Sequence, residues 1–292
     1  MVKGYVFLIF LLLIGGSSHA AEGPVRDSSW KNAGFFGLKM TQVSLSNWAA
    51  GGESALAFDA QLTYSADYKK DRNLWQNRLE LGYGLTKNDG KSARKTNDKI
   101  YLASTYGYQL YKSLYWSMLL NFNTQFAKGY DYSNEDASFI SKFMAPAYIV
   151  IGTGLTWTPK SYFTATLTPV SWRGTVVADS RLSDEGAFGV KEGKHLLSEF
   201  GANLRAEVTY EFWENMKIYS RLELFSDYLR KPQNVDVRWE VQLNMTVNKW
   251  ISATISTNML YDDDVKVAQK DGTAGPRLQF KEVLGVGLQF SF

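Results

Sequence analysis

Apolar and polar residues alternate with a period of two along almost the whole chain. From Val235 to Val247 the apolar set is Val235, Val237, Trp239, Val241, Leu243, Met245 and Val247. The set between them is Asp236, Arg238, Glu240, Gln242, Asn244 and Thr246. Such unbroken alternation predicts a strand with one apolar and one polar face. Leu56 to Tyr68 repeats it, with Asp59, Gln61, Thr63, Ser65 and Asp67 on the polar face. Leu114 to Phe126 does so with Ser117, Asn121, Asn123 and Gln125. Read this way, the chain predicts twelve strands, near 35–46, 54–68, 74–87, 97–111, 114–127, 147–157, 162–177, 196–213, 216–230, 235–248, 250–261 and 278–292. The first alternates poorly.

The connections alternate as well. Five are short, around Lys70-Asp71, Lys112-Ser113, Pro159-Lys160, Glu214-Asn215 and Lys249. Between them lie more polar stretches at 47–53, 88–96, 128–146, 178–195, 231–234 and 262–277, most of them longer. Outer-membrane barrels have short periplasmic turns and longer extracellular loops. An even strand count then places both termini in the periplasm. Each short turn has a tryptophan beside it: Trp75, Trp116, Trp157, Trp213 and Trp250. Indole favours the membrane–water boundary, so these five are read as one interface girdle. The last strand alternates Leu284, Val286, Leu288, Phe290 and Phe292 with Gly285, Gly287, Gln289 and Ser291. Its terminal aromatics, Phe290 and Phe292, resemble the assembly signal read by the barrel-insertion machinery. The predicted fold is therefore all-β: a single closed antiparallel transmembrane β-barrel of about twelve strands.

Composition agrees. Aromatics make up 15% of the chain, with nine Trp and seventeen Tyr, yet after the N-terminus no apolar run is long enough for a membrane helix. Lys3, the apolar stretch Tyr5–Ile14 and the small-x-small site Ser18-His19-Ala20 predict a cleaved signal peptide over 1–20. Ten apolar residues fall short of the roughly 20 that a spanning helix needs. A short periplasmic segment, 21–34, is expected before the barrel at 35–292. There is no cysteine, which excludes disulfides and a lipobox anchor. A net charge of +3 gives no reason to expect a nucleic-acid partner.

Several stretches resemble a family of Bacteroidota outer-membrane proteins known only as a domain of unknown function. They are Asn47-Trp48-Ala49-Ala50-Gly51-Gly52, Arg94-Lys95 with Asp98, and Thr124-Gln125-Phe126 with Gly129-Tyr130. Later come Arg221-Leu222-Glu223-Leu224-Phe225, Pro232-Gln233-Asn234-Val235-Asp236 and Tyr261-Asp262-Asp263-Asp264. The resemblance spans nearly the whole mature chain. It implies the barrel and the cell outer membrane, and no activity.

The polar face repeats Arg-x-Glu four times: Arg78/Glu80, Arg205/Glu207, Arg221/Glu223 and Arg238/Glu240. The strand period puts both members of a pair on one face, the lumen. Pairing about Glu214-Asn215 brings Glu207 within reach of Arg221 and Glu223. The expected result is a lumen charge lattice that braces the barrel or, alternatively, lines a polar path. No catalytic residue is expected. His19 leaves with the signal peptide; His195, with Ser198, Asp184 and Glu199 nearby, lacks a G-x-S-x-G motif and a shared strand face. No cofactor is expected. Asp262, Asp263 and Asp264 are a candidate calcium cluster or a solvated charge run without EF-hand spacing. Trp48, Gly51 and Gly52 form either a tight turn or a gating loop that folds into the lumen. The basic stretch with Lys87, Lys91, Arg94, Lys95 and Lys99, against Asp89 and Asp98, is a solvated loop or a contact for lipopolysaccharide phosphates. Taken together these features predict a porin-like, non-enzymatic pore or transporter for small solutes, in contact with outer-membrane lipid and lipopolysaccharide. The alternative is a non-catalytic binding or structural component of an outer-membrane assembly.

Overall fold

The structure is a computed structural model, and it describes residues 29–44, 53–132, 138–230, 232–263, 265, 267–268 and 274–291. The expected signal peptide, Trp48, Gly51, Gly52, Asp264 and Phe292 lie outside the described residues.

Twelve antiparallel strands form one closed barrel. They are β1 (Trp30–Val43), β2 (Ala55–Lys70), β3 (Asn73–Asn88), β4 (Arg94–Tyr111), β5 (Leu114–Thr124) and β6 (Ala147–Lys160). The second half comprises β7 (Phe163–Val176), β8 (Leu196–Trp213), β9 (Met216–Asp227), β10 (Asp236–Thr246), β11 (Ile251–Tyr261) and β12 (Gln279–Ser291). Each strand pairs with its neighbours in sequence. β1 closes the ring on β12 through Phe35↔Ser291 to Lys39↔Gly287. Closure leaves no unpaired sheet edge among the barrel strands, which an apolar solvent would not tolerate.

The first strand differs most from expectation. It starts at Trp30 rather than near 35, so residues 30–34 belong to the barrel and not to a periplasmic segment. Its register with β2 runs unbroken from Trp30↔Tyr68 to Val43↔Ala55. The alternation was hard to read because an aromatic sits on the inner face. Phe35 lines the lumen, while Trp30, Phe36, Leu38 and Met40 face out and are exposed.

The outer face is apolar around the ring. Leu102, Leu120, Ile151, Leu167, Phe200, Trp239, Leu284 and Leu288 are all exposed. The inner face holds the buried polar residues, among them Ser117, Asn121, Thr156, Thr166, Arg205, Arg221 and Gln242. This is a soluble protein turned inside out, and only a lipid surround makes such a surface favourable. The five girdle tryptophans lie together at the short-turn end, between 42% and 71% exposed. Trp75 stacks near Trp30, with ring centroids 5.9 Å apart, and its Nε1–H donates to Ser104 Oγ at 2.9 Å. Trp250 meets Phe290 edge-on at 5.2 Å. Three of the short turns hold a non-glycine residue at positive φ: Asp71 (52°), Lys112 (43°) and Asn215 (62°). Asp and Asn tolerate this region best, because their side chains bond the local backbone.

At the other end two loops pack on each other. Ala145, Val177, Leu182 and Val190 form a small buried cluster under Phe139 and Phe188. A short helix, α1 (Ser180–Asp184), starts with the Asp179 carboxylate accepting the Leu182 N–H at 3.0 Å. Lys142 Nζ lies 2.5 Å from the same carboxylate. These two bonds hold the Asp179 carboxyl below the usual carboxylate range.

Candidate functional site: a divided lumen

Strand alternation turns every second side chain of the barrel inward. At mid-height those side chains are mostly charged or phenolic, and they meet across the lumen. Arg221 on β9 is the centre. Its Nη1 donates to Glu80 Oε1 on β3 at 3.0 Å, and its Nη2 to Glu240 Oε2 on β10 at 2.5 Å. β3 and β9 stand six places apart in the ring of twelve, so the Glu80–Arg221 pair spans the full width of the barrel. Lys99 on β4 crosses in the same way to Glu240 at 3.1 Å and reaches Glu80 at 2.5 Å. The Tyr101 ring lies under the Arg221 guanidinium, 4.1 Å from its centroid, and the Tyr101 hydroxyl donates to Glu223 at 3.2 Å. Glu80 and Arg221 are each only 3% exposed.

Four Arg-x-Glu pairs were expected on the lumen face, and all eight side chains face inward. Two pairs form within their own strands: Arg78–Glu80 at 2.5 Å and Arg205–Glu207 at 2.7 Å. Arg221 bonds neither Glu207 nor Glu223, although it stands opposite Glu207 in the β8–β9 ladder. Arg221 and Glu207 stand opposite each other, as the pairing about Glu214-Asn215 implied, without a bond between them. Backbone register brings the Cα atoms together, but a long guanidinium reaches toward the axis, where Glu80 and Glu240 converge. Glu223 instead takes the Tyr101 hydroxyl, with Arg205 and Arg238 at 3.9 and 3.8 Å.

A second correction concerns the basic stretch. β4 begins at Arg94, so Lys95 and Lys99 do not lie in a solvated loop. Lys99 belongs to the charged layer. The Lys95 ammonium is held by Asp98 at 2.7 Å and by the Ala127 carbonyl at 2.8 Å. Lys91 pairs with Glu53 at 2.9 Å, and Arg94 lies over the Tyr132 ring. Sequence reasoning also missed Tyr101, whose apolar ring hid its inward position, and the bidentate Arg173–Glu199 pair at 2.6 Å near the loops. Inward parity counted back from Thr105 and Ala103 would have found both Tyr101 and Lys99.

The charged layer divides the lumen into two cavities. The one at the loop end measures about 950 Å³ and is bounded by Lys39, Asp59, Lys99, Arg238, Glu240 and Lys281, among others. The one at the turn end measures about 560 Å³ and is bounded by Thr63, Ser65, Asp67, Thr105, Glu207 and Lys217, among others. Gln61 and Gln242 are the residues that line both.

The remaining candidates sit elsewhere. His195 Nδ1 lies 2.7 Å from the Val177 carbonyl in the packed loops. Asp263 accepts the Asn234 side-chain amide at 2.6 Å, and its own N–H donates to Asp236. Among the described residues no group of three acidic, histidine or cysteine side chains is placed to hold a metal ion.

No curated protein matches the chain. The profile of a family described as "Protein of unknown function (DUF3078)" matches residues 40–130, less than half of the chain. That part contains the first three of the six stretches that carry the family resemblance. Among solved structures, the NanC porin is 11% identical and covers 88% of this chain and 98% of its own, with a TM-score of 0.38. An outer membrane channel from Pseudomonas putida F1 is 11% identical over 89% of this chain and 94% of its own, with a TM-score of 0.39. The translocator domain of the autotransporter NalP from Neisseria meningitidis is 9% identical over 89% and 87%, with a TM-score of 0.35. Scores this low bear on neither substrate nor mechanism.

Proposed function

We propose that the protein is an outer-membrane barrel that serves as a pore or transporter for small polar solutes, shut at mid-height in the state described here. The observation that carries this reading is the pair of cavities stacked on one axis, each with charged side chains in its wall and separated by a single layer of paired charges. A twelve-strand barrel lies between eight-strand barrels, filled by side chains, and sixteen-strand barrels with an aqueous channel. Its width therefore suits a lumen that one layer of side chains closes. The short-turn end, where β1 starts and β12 ends, faces the periplasm, and the packed loops face outward.

The layer also favours a second reading. Its ion pairs brace the wall, as a non-catalytic binding or structural component of an envelope assembly would need. Planar-bilayer recording separates the two. A pore gives rare, small stepwise currents in the wild type, and larger, more frequent ones in Glu80→Gln combined with Arg221→Gln. Silence in both proteins, when each is folded, refutes the pore. Orientation is tested with Lys191→Cys and Ser113→Cys. An impermeant thiol reagent on intact cells should label the first and spare the second.

A further inference from the structure

Every charged group of the mid-height layer has a partner, and the loop-end cavity above it does not balance in the same way. Lys99 and Arg221 share Glu80 and Glu240. Arg238 stands 3.8 Å from Glu223. Asp98 is occupied by Lys95 and by the N–H groups of Phe126 and Ala127. Two ammonium groups remain. Among the described residues Lys39 has neither an ion pair nor a hydrogen bond, although Asp59 is its cross-strand partner and acts on it electrostatically. Lys281 Nζ reaches only a neutral acceptor, the Thr96 carbonyl, at 3.0 Å. Asp59 also acts on Lys281, and it is itself hydrogen-bonded by the Asn97 amide at 2.9 Å. Glu240 acts on Lys281 as well, but it is already shared by Lys99 and Arg221, so neither ammonium group has a carboxylate to itself. Glu282 borders the cavity, but by strand alternation its exposed side chain lies in the outward set with Phe280 and Leu284.

The wall is cut to fit this arrangement. A Cβ at Gly285 would stand 2.5 Å from Lys39 Cδ, and one at Gly84 would stand 2.7 Å from Asp59 Oδ2. Glycine at these points lets both side chains lie along the wall and leaves the cavity open.

We infer that the loop-end cavity is a binding site for a small oxyanion, a carboxylate or a phosphate, held by Lys39 and Lys281. This inference rests on the small-solute reading and deepens it, naming the charge of the solute. Ammonium groups in a cavity with low-dielectric walls attract anions more strongly than the same groups in open water. Asp59 sets the affinity, since it competes with the ligand for both lysines. A site that releases its ligand again is what a conduit requires.

The test uses the purified full barrel, refolded in detergent and checked by gel shift. Calorimetry with sodium phosphate and with sodium succinate measures binding, and glycerol is the neutral control. The wild type should bind at least one of the two anions and not glycerol. Lys39→Gln with Lys281→Gln should weaken binding by roughly tenfold or more, the loss of at least one charge-assisted hydrogen bond. Lys39→Arg with Lys281→Arg should retain it. Gly285→Ala, which moves the Lys39 ammonium without removing its charge, should weaken binding to a smaller extent. If the double glutamine variant does not fold, Gly285→Ala and Lys39→Gln alone carry the test. A wild type that binds neither anion overturns the site. So does a folded glutamine variant with unchanged affinity. Bilayer recording of the same samples keeps the two readings apart. An anion-binding barrel without current refutes the pore and leaves the site standing, and a conducting barrel that binds no anion does the reverse.

Discussion

The two ends of the lumen solve one problem in opposite ways. Both must satisfy polar side chains that a barrel wall has turned away from lipid. Beside charges such as Asp67 and Lys217, the turn end uses hydroxyls that bond each other. Thr156 Oγ1 bonds Ser117 at 2.8 Å and Thr166 at 2.9 Å. These bonds are local and made within neighbouring strands. Mid-height and the loop end use full charges on long side chains, and the Arg221–Glu80 and Lys99–Glu240 bonds run across the ring. A hydroxyl ladder stiffens adjacent strands and asks nothing of the opposite wall. A cross-lumen ion pair ties opposite walls together and closes the space between them. The difference teaches that the same inward alternation gives either a wall or a barrier, depending on side-chain length and charge.

The largest expected effect comes from breaking the cross-lumen tie. Arg221→Ala removes the guanidinium that Glu80 and Glu240 share and leaves Lys99 alone to bridge them. Removing one partner of a buried pair costs roughly 3–5 kcal/mol, far more than an exposed pair. The unfolding temperature by gel shift should fall, and adding Glu240→Gln should recover part of the loss. An unchanged temperature would mean that the barrel wall does not depend on the tie.

Next comes the facing of the wall itself. Leu243→Arg puts a cation in lipid and should destabilise insertion by about 2–4 kcal/mol if it lies near the midplane. Gln242→Arg, one residue away, points to the lumen beside Glu240 and should be much milder. Refolding into vesicles under urea compares them, and equal losses would reverse the facing of β10. At the turn end Thr156→Val removes a hydroxyl from a neutral ladder. A loss of about 1 kcal/mol is expected, near the net value of one hydrogen bond. A loss as large as that of Arg221→Ala would erase the contrast between the two ends.

The smallest effect lies in the packed loops. The Asp179 carboxyl is held below its usual range by Lys142 and the Leu182 N–H, so its contribution is present above the unfolded value and is lost as pH falls through the folded one. Amide exchange in residues 139–145 and 177–195 should rise below about pH 4 while the barrel strands stay protected. Asp179→Asn should remove that dependence, and exchange that stays pH-dependent in the variant would assign it to another group.

The sequence by itself determined the number of strands and most of their facing. Val235 to Val247 shows why: a period-two code written over a whole strand is local, and each residue carries it without reference to the rest. Trp75, Trp116, Trp157, Trp213 and Trp250 marked one rim for the same reason, since each stands beside its own turn. The Arg-x-Glu repeats gave the inward face but not the partners. Only closure of the ring set β3 opposite β9 and β4 opposite β10, and so decided that Arg221 meets Glu80 and Glu240 rather than Glu207. Closure also moved Lys99 from a charged run into the barrier and left Lys39 and Lys281 sharing carboxylates with other donors. Partners across a lumen are far apart in the chain and follow no period. They are fixed by the barrel's circumference and by how far a side chain reaches, and neither quantity is written in any one strand.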